Sequence, residues 1–111
     1  MSTNRTECVL VYVTTPSNDV AESLARSSME KRLAAGANII HGVKSIYHWK
    51  GKIESADEHV VIFKTRESLF ADLEMHILTH HPYETPCIVA IPIEAGSEAF
   101  LGWVIDETTQ A

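Results

Sequence analysis

The side chains best suited to chemistry lie close together, in one short stretch of the second half of the chain. This stretch contains His76, His80, His81, Glu84 and Cys87. Copper and related transition metals favour imidazole and thiolate ligands at neutral pH, so the cluster is typical of a site for a divalent cation. All five side chains are candidate ligands.

The helix that carries these histidines decides which of them can act together. Apolar residues at helical spacing predict this helix: Leu69, Phe70, Leu73, Ile77 and Leu78. It must end before Pro82, because proline disfavours helical backbone in the residue before it. His76 and His80 share one helix face, whereas the adjacent His80 and His81 point in different directions unless the helix has unwound. A second interpretation remains open, in which His80 or His81 only interacts with the helix dipole and the last carbonyls.

Several other side chains could bind a ligand or could have only a structural role. Cys87 begins an apolar run, as Cys8 does, and a buried free thiol is the alternative to a metal ligand. Tyr47, Trp49 and Tyr83 are interpreted as packing or interface contacts, with the lining of a small-molecule cleft as the alternative. The chain has no Gly-rich phosphate loop, nucleophile elbow or paired-cysteine motif, so we expect neither an enzyme nor an organic cofactor.

Length and charge exclude several classes of partner. With 111 residues, the chain is predicted to form one domain over residues 1–111, of which 1–7 are expected to be flexible. A formal net charge of -6 disfavours binding to nucleic acid or to an anionic membrane surface. No apolar run approaches the ~20 residues that cross a bilayer, and the first residues do not resemble a signal peptide. We therefore expect a cytoplasmic protein without a nucleic-acid or membrane partner.

Hydrophobic periodicity outlines the elements that position the cluster. They are a strand over 9–13, a helix from a cap at Asp19 to Gly36, a hairpin over 37–49 and 53–63 with a bend at 55–57, the histidine-bearing helix with a cap at Thr65, a strand over 87–93, and a short helix from Ser97 that buries Phe100, Leu101, Val104 and Ile105. This order predicts an α+β fold of the ferredoxin-like βαββαβ type, with an antiparallel sheet, an extended β-hairpin and a C-terminal helix. One sheet face would lack a helix cover. That favours a homo-oligomer, unless the face is polar enough to remain wet.

Three segments carry a resemblance to a known family. They are EKRLAAGANI over 30–39, SIYHWKGKI over 45–53 and HHPYETP over 80–86. In this order and at this spacing, from about Val9 to the C-terminal helix, the chain resembles the CutA divalent-ion tolerance family. The resemblance implies a ferredoxin-like protomer that forms a homotrimer through its extended hairpins, similar to PII signalling proteins. It also implies a part in tolerance to divalent metals, copper in particular, and no established catalytic activity.

The resemblance also bears on the metal site. In family members with a proposed copper site, two histidines that match His80 and His81 act with a cysteine whose position falls on Val13 here. The resemblance therefore implies His80 and His81 as the principal candidate ligands, with Cys87, His76 and Glu84 as weaker ones. Valine cannot bind a metal, and Cys87 is the hypothesis for a replacement sulfur. We predict a homotrimer that binds copper or another divalent cation weakly and contributes to metal tolerance. The alternative is a PII-like signalling or scaffold trimer whose inter-subunit clefts hold a small organic ligand or a protein partner.

Overall fold

A computed structural model describes residues 6–109 and shows four strands and three α-helices in that range. The elements are β1 (Cys8–Thr15), α1 (Asn18–Glu30), β2 (Gly36–Trp49), β3 (Lys52–Arg66), α2 (Phe70–His80, after a 3-10 turn at Glu67–Leu69), β4 (Ile88–Pro92) and α3 (Glu98–Glu107). The strands form one antiparallel sheet in the order β2-β3-β1-β4. The predicted ferredoxin-like α+β fold, with its long hairpin and C-terminal helix, is confirmed.

The core lies between the sheet and the helices α1 and α2. Val9, Val11 and Val13 of β1 are at most 4% exposed and pack with Val61 and Phe63 of β3. Side chains from the two helices complete this cluster, chiefly Ala21, Leu24, Leu73 and Ile77. Each large apolar side chain buried in this way contributes about 1.5–3 kcal/mol to folding. Alternate strand residues point to the other side of the sheet, which we call the open face.

Helix α1 begins and ends at other residues than the sequence predicted. Ser17, in extended conformation, is its N-cap, and the Ser17 Oγ accepts a hydrogen bond from the Val20 N–H at 3.2 Å. Asp19, the predicted cap, lies instead in the first turn, where its negative charge suits the helix dipole. The helix ends at Glu30, because Arg32 adopts a φ of 55°, and Gly36 opens β2 and does not close the helix.

The predicted cap of α2, Thr65, is likewise wrong. Thr65 lies within β3, and its buried hydroxyl donates a hydrogen bond to the Leu33 carbonyl at 2.6 Å. The strand continues to Arg66 because it pairs with β1 along its full final stretch. The end of α2 agrees with the prediction, since the helix stops at His80 and His81 has the extended backbone required before Pro82.

The irregularity of the hairpin lies in β2 and not at residues 55–57. Strand β3 is continuous there, because both faces of this part of the hairpin reach water and polar residues are tolerated on it. Ile40 pairs with Val60 and Val43 pairs with Glu58, so two residues, His41 and Gly42, lie opposite the single residue between Glu58 and Val60. This is a β-bulge, and the φ of 73° at Gly42 is a conformation that suits glycine.

Helix α3 covers less of the molecule than predicted. Ser97 caps it, as predicted, with its Oγ accepting from the Phe100 N–H at 3.2 Å. Val104 is fully buried, but Phe100 is 43% exposed, because the helix packs on the rest of the chain through one side only. The Phe100 ring lies against the Trp103 ring on the outer side, with centroids 5.5 Å apart.

Hydrogen bonds join the first described residues, Thr6 and Glu7, to distant parts of the chain. The predicted flexible segment 1–7 falls mainly on residues 1–5, which lie outside the described residues. Thr6 donates a hydrogen bond to the Ile93 carbonyl, and the Glu7 carbonyl accepts one from the Glu67 N–H at 2.8 Å. Among residues 6–109, no helix combines the length and apolar character that would carry it across a membrane.

Candidate functional site

His81 is held by hydrogen bonds at both of its ring nitrogens. The ring is 8% exposed, its Nε2 lies 2.8 Å from the Thr14 carbonyl oxygen, and its Nδ1 lies 3.1 Å from the Tyr83 backbone nitrogen. A carbonyl oxygen only accepts and a backbone N–H only donates, so Nε2 carries the proton and Nδ1 accepts. Neither nitrogen has a lone pair left for a metal. His81 therefore fixes the loop after α2 to the end of β1.

His80 has the opposite arrangement. Its Nδ1–H donates to the His76 carbonyl oxygen at 2.9 Å, within the last turn of α2. This bond fixes the tautomer and leaves the Nε2 lone pair on an exposed side chain. Metal-binding histidines usually have their second ring nitrogen held in this way, so His80 has the form of a ligand.

His76 lies beside His80, as the four-residue spacing predicted. The two ring centroids are 4.6 Å apart. The Nε2 of His76 lies 2.7 Å from the Ser27 Oγ, and that hydroxyl reaches the Leu24 carbonyl at 3.3 Å. If Ser27 donates to Leu24, it accepts from His76, and the Nδ1 of His76 keeps its lone pair. Burial, then the neighbouring His80 and Lys31, lower the pKa of His76, so the ring is neutral near pH 7.

The loop after α2 is joined to the hairpin through Tyr83. The Tyr83 ring packs on His81 with centroids 4.7 Å apart, and its hydroxyl donates to the Glu58 Oε2 at 2.6 Å. Burial raises the pKa of Tyr83, and the hydrogen bond and negative charge of Glu58 raise it further, so the phenol stays protonated. Glu58 is only 6% exposed, and neither of the two ion pairs among the described residues involves it.

A cavity of about 540 Å³ opens beneath the hairpin, between the loop and the open face. Its lining is formed by Thr14, Ser45, Tyr47, His48, Trp49, Glu58, Tyr83, Glu84, Thr85 and Cys87. The aromatic residues interpreted as interface contacts therefore line a cleft within one chain, which was the alternative interpretation. Sequence analysis did not select Glu58. The signal available was a carboxylate at the start of the apolar run of β3.

Cys87 and Glu84 belong to this cavity rather than to a joint site with the histidines. Within residues 6–109, no group of three or more His, Cys, Asp or Glu side chains converges in a way that could hold a metal ion. Cys87 is exposed, which corrects the expectation of a buried thiol, whereas Cys8 is buried as predicted. Partial desolvation, then the Glu58 charge, raise the pKa of the Cys87 thiol. The thiol is a poor metal ligand at neutral pH, because thiolate is the binding form.

Comparison with known proteins identifies relatives over nearly the whole chain. A family model described as CutA1 divalent ion tolerance protein matches residues 9–107. The chain is 48% identical to the divalent-cation tolerance protein CutA of Archaeoglobus fulgidus, over 90% of this chain and 96% of that protein. It is 40% identical to the chloroplastic protein CutA of Arabidopsis thaliana over 90% of this chain, but spans only 55% of that relative.

Solved structures agree with these matches. The crystal structure of CutA1 from Oryza sativa has a TM-score of 0.92 at 36% identity, covering 98% of this chain and 100% of that one. The structure from A. fulgidus, at 44% identity and a TM-score of 0.88, covers 90% of this chain and 97% of that one. Its name places that protein in the periplasm, and the Arabidopsis relative is chloroplastic. The cytoplasmic location of this chain stays a prediction.

The family follows from sequence and fold together. The family model and the A. fulgidus relative carry names that denote tolerance to divalent cations. The model match over residues 9–107 includes all three motifs quoted above, and the rice structure shares the fold over nearly the whole chain. The chain belongs to the CutA1 divalent ion tolerance family.

Proposed function

We propose that this chain acts as a homotrimer that binds copper or a related divalent cation and contributes to metal tolerance, by binding and not by catalysis. The observation that carries the metal site is the orientation of His80, whose Nδ1–H is held by the His76 carbonyl while Nε2 is open. The membership of a divalent ion tolerance family supports the role.

Within this proposal, the chelating pair is His76 and His80, and His81 supports the loop. His76 and His80 lie about one turn apart on the same face of α2, and one ring nitrogen of each is hydrogen-bonded to a protein oxygen. The other nitrogens, Nδ1 of His76 and Nε2 of His80, are the donors offered to an ion. Imidazole suits copper, nickel and zinc. Two protein ligands leave the remaining positions to water, which agrees with weak binding.

Copper titration of a His80→Gln variant tests the proposal. We expect its affinity for Cu²⁺ to fall by about tenfold or more, because one of two imidazole ligands is lost. Isothermal titration calorimetry measures the change. His48→Gln is the matched control, since it removes an exposed histidine from the hairpin and is expected to leave this site unchanged. Equal Cu²⁺ affinity in the wild-type and His80→Gln proteins would refute the site.

The homotrimer is supported by the apolar character of surfaces that no helix covers. Val89 and Ile91 on the open face are each 46% exposed, and on the hairpin Ile46 and Ile53 are 71% and 72% exposed. Ile53 pairs with His48, and Ile46 lies two residues away on the same side of the ribbon. Exposed apolar side chains that lie next to one another in this way are typical of contacts between proteins. We call Ile46 and Ile53 the hairpin patch.

A second function is favoured by the cavity beneath the hairpin, and it is binding of a small organic cation. Three aromatic rings, Tyr47, Trp49 and Tyr83, line the cavity together with the buried carboxylate of Glu58. Aromatic faces attract cations, and a buried carboxylate gains from a positive charge that it lacks within the described chain. This lining suits an ammonium or guanidinium group attached to an apolar body. The PII-like alternative placed an organic ligand in clefts between subunits, whereas this cavity is lined by residues of one chain.

Protection of Cys87 from alkylation provides a direct test of cavity binding. Choline is expected to slow the reaction of Cys87 with iodoacetamide by about threefold or more at millimolar concentration, because it occupies the space beside the thiol. Peptide mass spectrometry measures the rate at Cys87. The neutral isostere of choline, with a tert-butyl group in place of the trimethylammonium group, is expected to protect less. The difference should vanish in Glu58→Gln. Equal protection by both compounds in the wild-type protein would contradict the cation preference.

A further inference from the structure

A second pair of histidines lies at the bulge of the hairpin, away from α2. His41 belongs to the two-residue bulge of β2, and His59 is the residue of β3 that lies opposite it. Both side chains reach solvent, and their rings are nearly perpendicular, with an interplanar angle of 80° and centroids 5.0 Å apart. The Nδ1 atoms of the two rings are 2.9 Å apart.

The backbone around this pair is well fixed. His59 pairs with Thr15 on one side of β3, and the buried Thr15 hydroxyl donates to the His59 carbonyl at 2.9 Å. On the other side, Gly42 takes the positive φ that the bulge requires and so places His41 over His59. The fold therefore places the backbone of His41 and His59 so that their rings are in contact. Sites of this kind bind best when the scaffold holds their ligands.

The distance between the two Nδ1 atoms fits one coordination geometry better than another. With metal–nitrogen bonds of about 2.0 Å, ligands at right angles are about 2.8 Å apart, and tetrahedral ligands are about 3.3 Å apart. The observed 2.9 Å is the length of the hydrogen bond between the two ion-free rings. It is close to the first value, so right-angled ligands require the smaller change in spacing. Right-angled nitrogen ligands are typical of square-planar or tetragonal Cu²⁺ and Ni²⁺, whereas zinc in proteins is mostly tetrahedral.

We propose that His41 and His59 form a separate chelating site for a tetragonal divalent cation, Cu²⁺ or Ni²⁺, with both Nδ1 atoms as ligands. Without an ion, one Nδ1–H donates to the other Nδ1. On binding, that proton moves through solvent to the Nε2 of the same ring, and both Nδ1 lone pairs face the ion. The exchange leaves both imidazoles neutral and releases no net proton. Water fills the remaining positions.

This site is independent of the metal site proposed on α2. Its ligands come from β2 and β3, where the His41 ring contacts the His59 ring, whereas the His76 and His80 rings contact each other on α2. Loss of one site is expected to leave the other in place. The chain would thus hold two ions per copy, one on the helix and one on the hairpin.

Stoichiometry of Cu²⁺ binding separates the two sites. We expect the His41→Gln/His59→Gln double variant to lose the one equivalent of Cu²⁺ per chain that binds to the hairpin. His80→Gln and the exposed-histidine control His48→Gln are expected to keep this hairpin equivalent. Electron paramagnetic resonance of Cu²⁺ in His80→Gln is expected to show hyperfine splitting from two nitrogens, and the splitting should disappear when His41 and His59 are also replaced. Ni²⁺ is expected to bind His80→Gln at least as tightly as Zn²⁺.

A fold control accompanies this test. His41 is exposed, so the single variant His41→Asn is expected to keep the metal-free melting temperature of the wild type and still to lose the hairpin equivalent. The proposal is overturned if the double variant binds as many Cu²⁺ ions as the wild type. It is equally overturned if the nitrogen splitting in His80→Gln survives the removal of His41 and His59.

Discussion

Replacing His81 by alanine is expected to lower the free energy of unfolding by about 2–4 kcal/mol, while leaving the helix site for metal intact. The substitution removes the partners of the Thr14 carbonyl and the Tyr83 N–H, and each buried polar group without a partner costs about 1–3 kcal/mol. It also leaves a space beside the Tyr83 ring, which packs on His81. Urea unfolding followed by circular dichroism measures the loss.

His80→Ala is the matched control, because the two histidines are adjacent and differ in burial. His80 is exposed, and its side chain donates a hydrogen bond to a carbonyl of its own helix. We expect His80→Ala to change the free energy of unfolding by about 0.5 kcal/mol or less, as most surface substitutions do. If His81→Ala weakened Cu²⁺ binding and left stability unchanged, while His80→Ala did the reverse, the assigned roles of the two histidines would be wrong.

Placing charge on the hairpin patch is expected to abolish the homotrimer. In Ile46→Glu/Ile53→Glu, two carboxylates occupy positions that are 71% and 72% exposed in one chain and that we assign to contacts between copies. Burying an unpaired charge is strongly unfavourable, and every copy in the trimer would carry two. The variant is expected to sediment with single-chain mass at micromolar concentration, whereas the wild type is expected to sediment with three times that mass.

Met75→Glu is the control for this experiment. Met75 is 66% exposed on α2, so it tests the effect of a charge at an exposed apolar residue outside the patch. Its trimer is expected to persist. A wild-type protein that is stable and folded at single-chain mass would contradict the homotrimer itself, and an intact trimer of the double variant would show that the hairpin patch lies outside the contact.

The order of elements and the end of α2 could be predicted because they depend on local rules. Hydrophobic periodicity marked each helix and strand, and Pro82 set the last helical residue of α2. The start of α1 was missed because Ser17, Asn18 and Asp19 are all acceptable caps. In the structure it is Ser17 that has the extended backbone of an N-cap. Local rules therefore gave the elements, but not their exact ends.

The two sites were harder to predict because tertiary contacts create them. Spacing showed that His76 and His80 share a face, but the role of His81 depends on Thr14, which is distant in sequence. The partner of Tyr83, Glu58, comes from another element in the same way. The pair of His41 and His59 depends on a bulge at Gly42, whereas the sequence pattern placed the irregularity of the hairpin at 55–57.

That bulge also sets the phase of the hairpin. Ile40 and Val43 are an odd number of positions apart, yet they pair with Val60 and Glu58, which point to the same side of β3. Because of the extra residue, the odd-numbered side chains after Gly42 point to the side of the sheet that even-numbered side chains of β2 take before it. Tyr47 and Trp49 therefore point toward the cavity. A relative with one residue fewer at 41–42, and an otherwise unchanged hairpin, would carry those rings on the opposite surface. Alignment gaps at these two positions should therefore mark members whose cleft is built from other side chains.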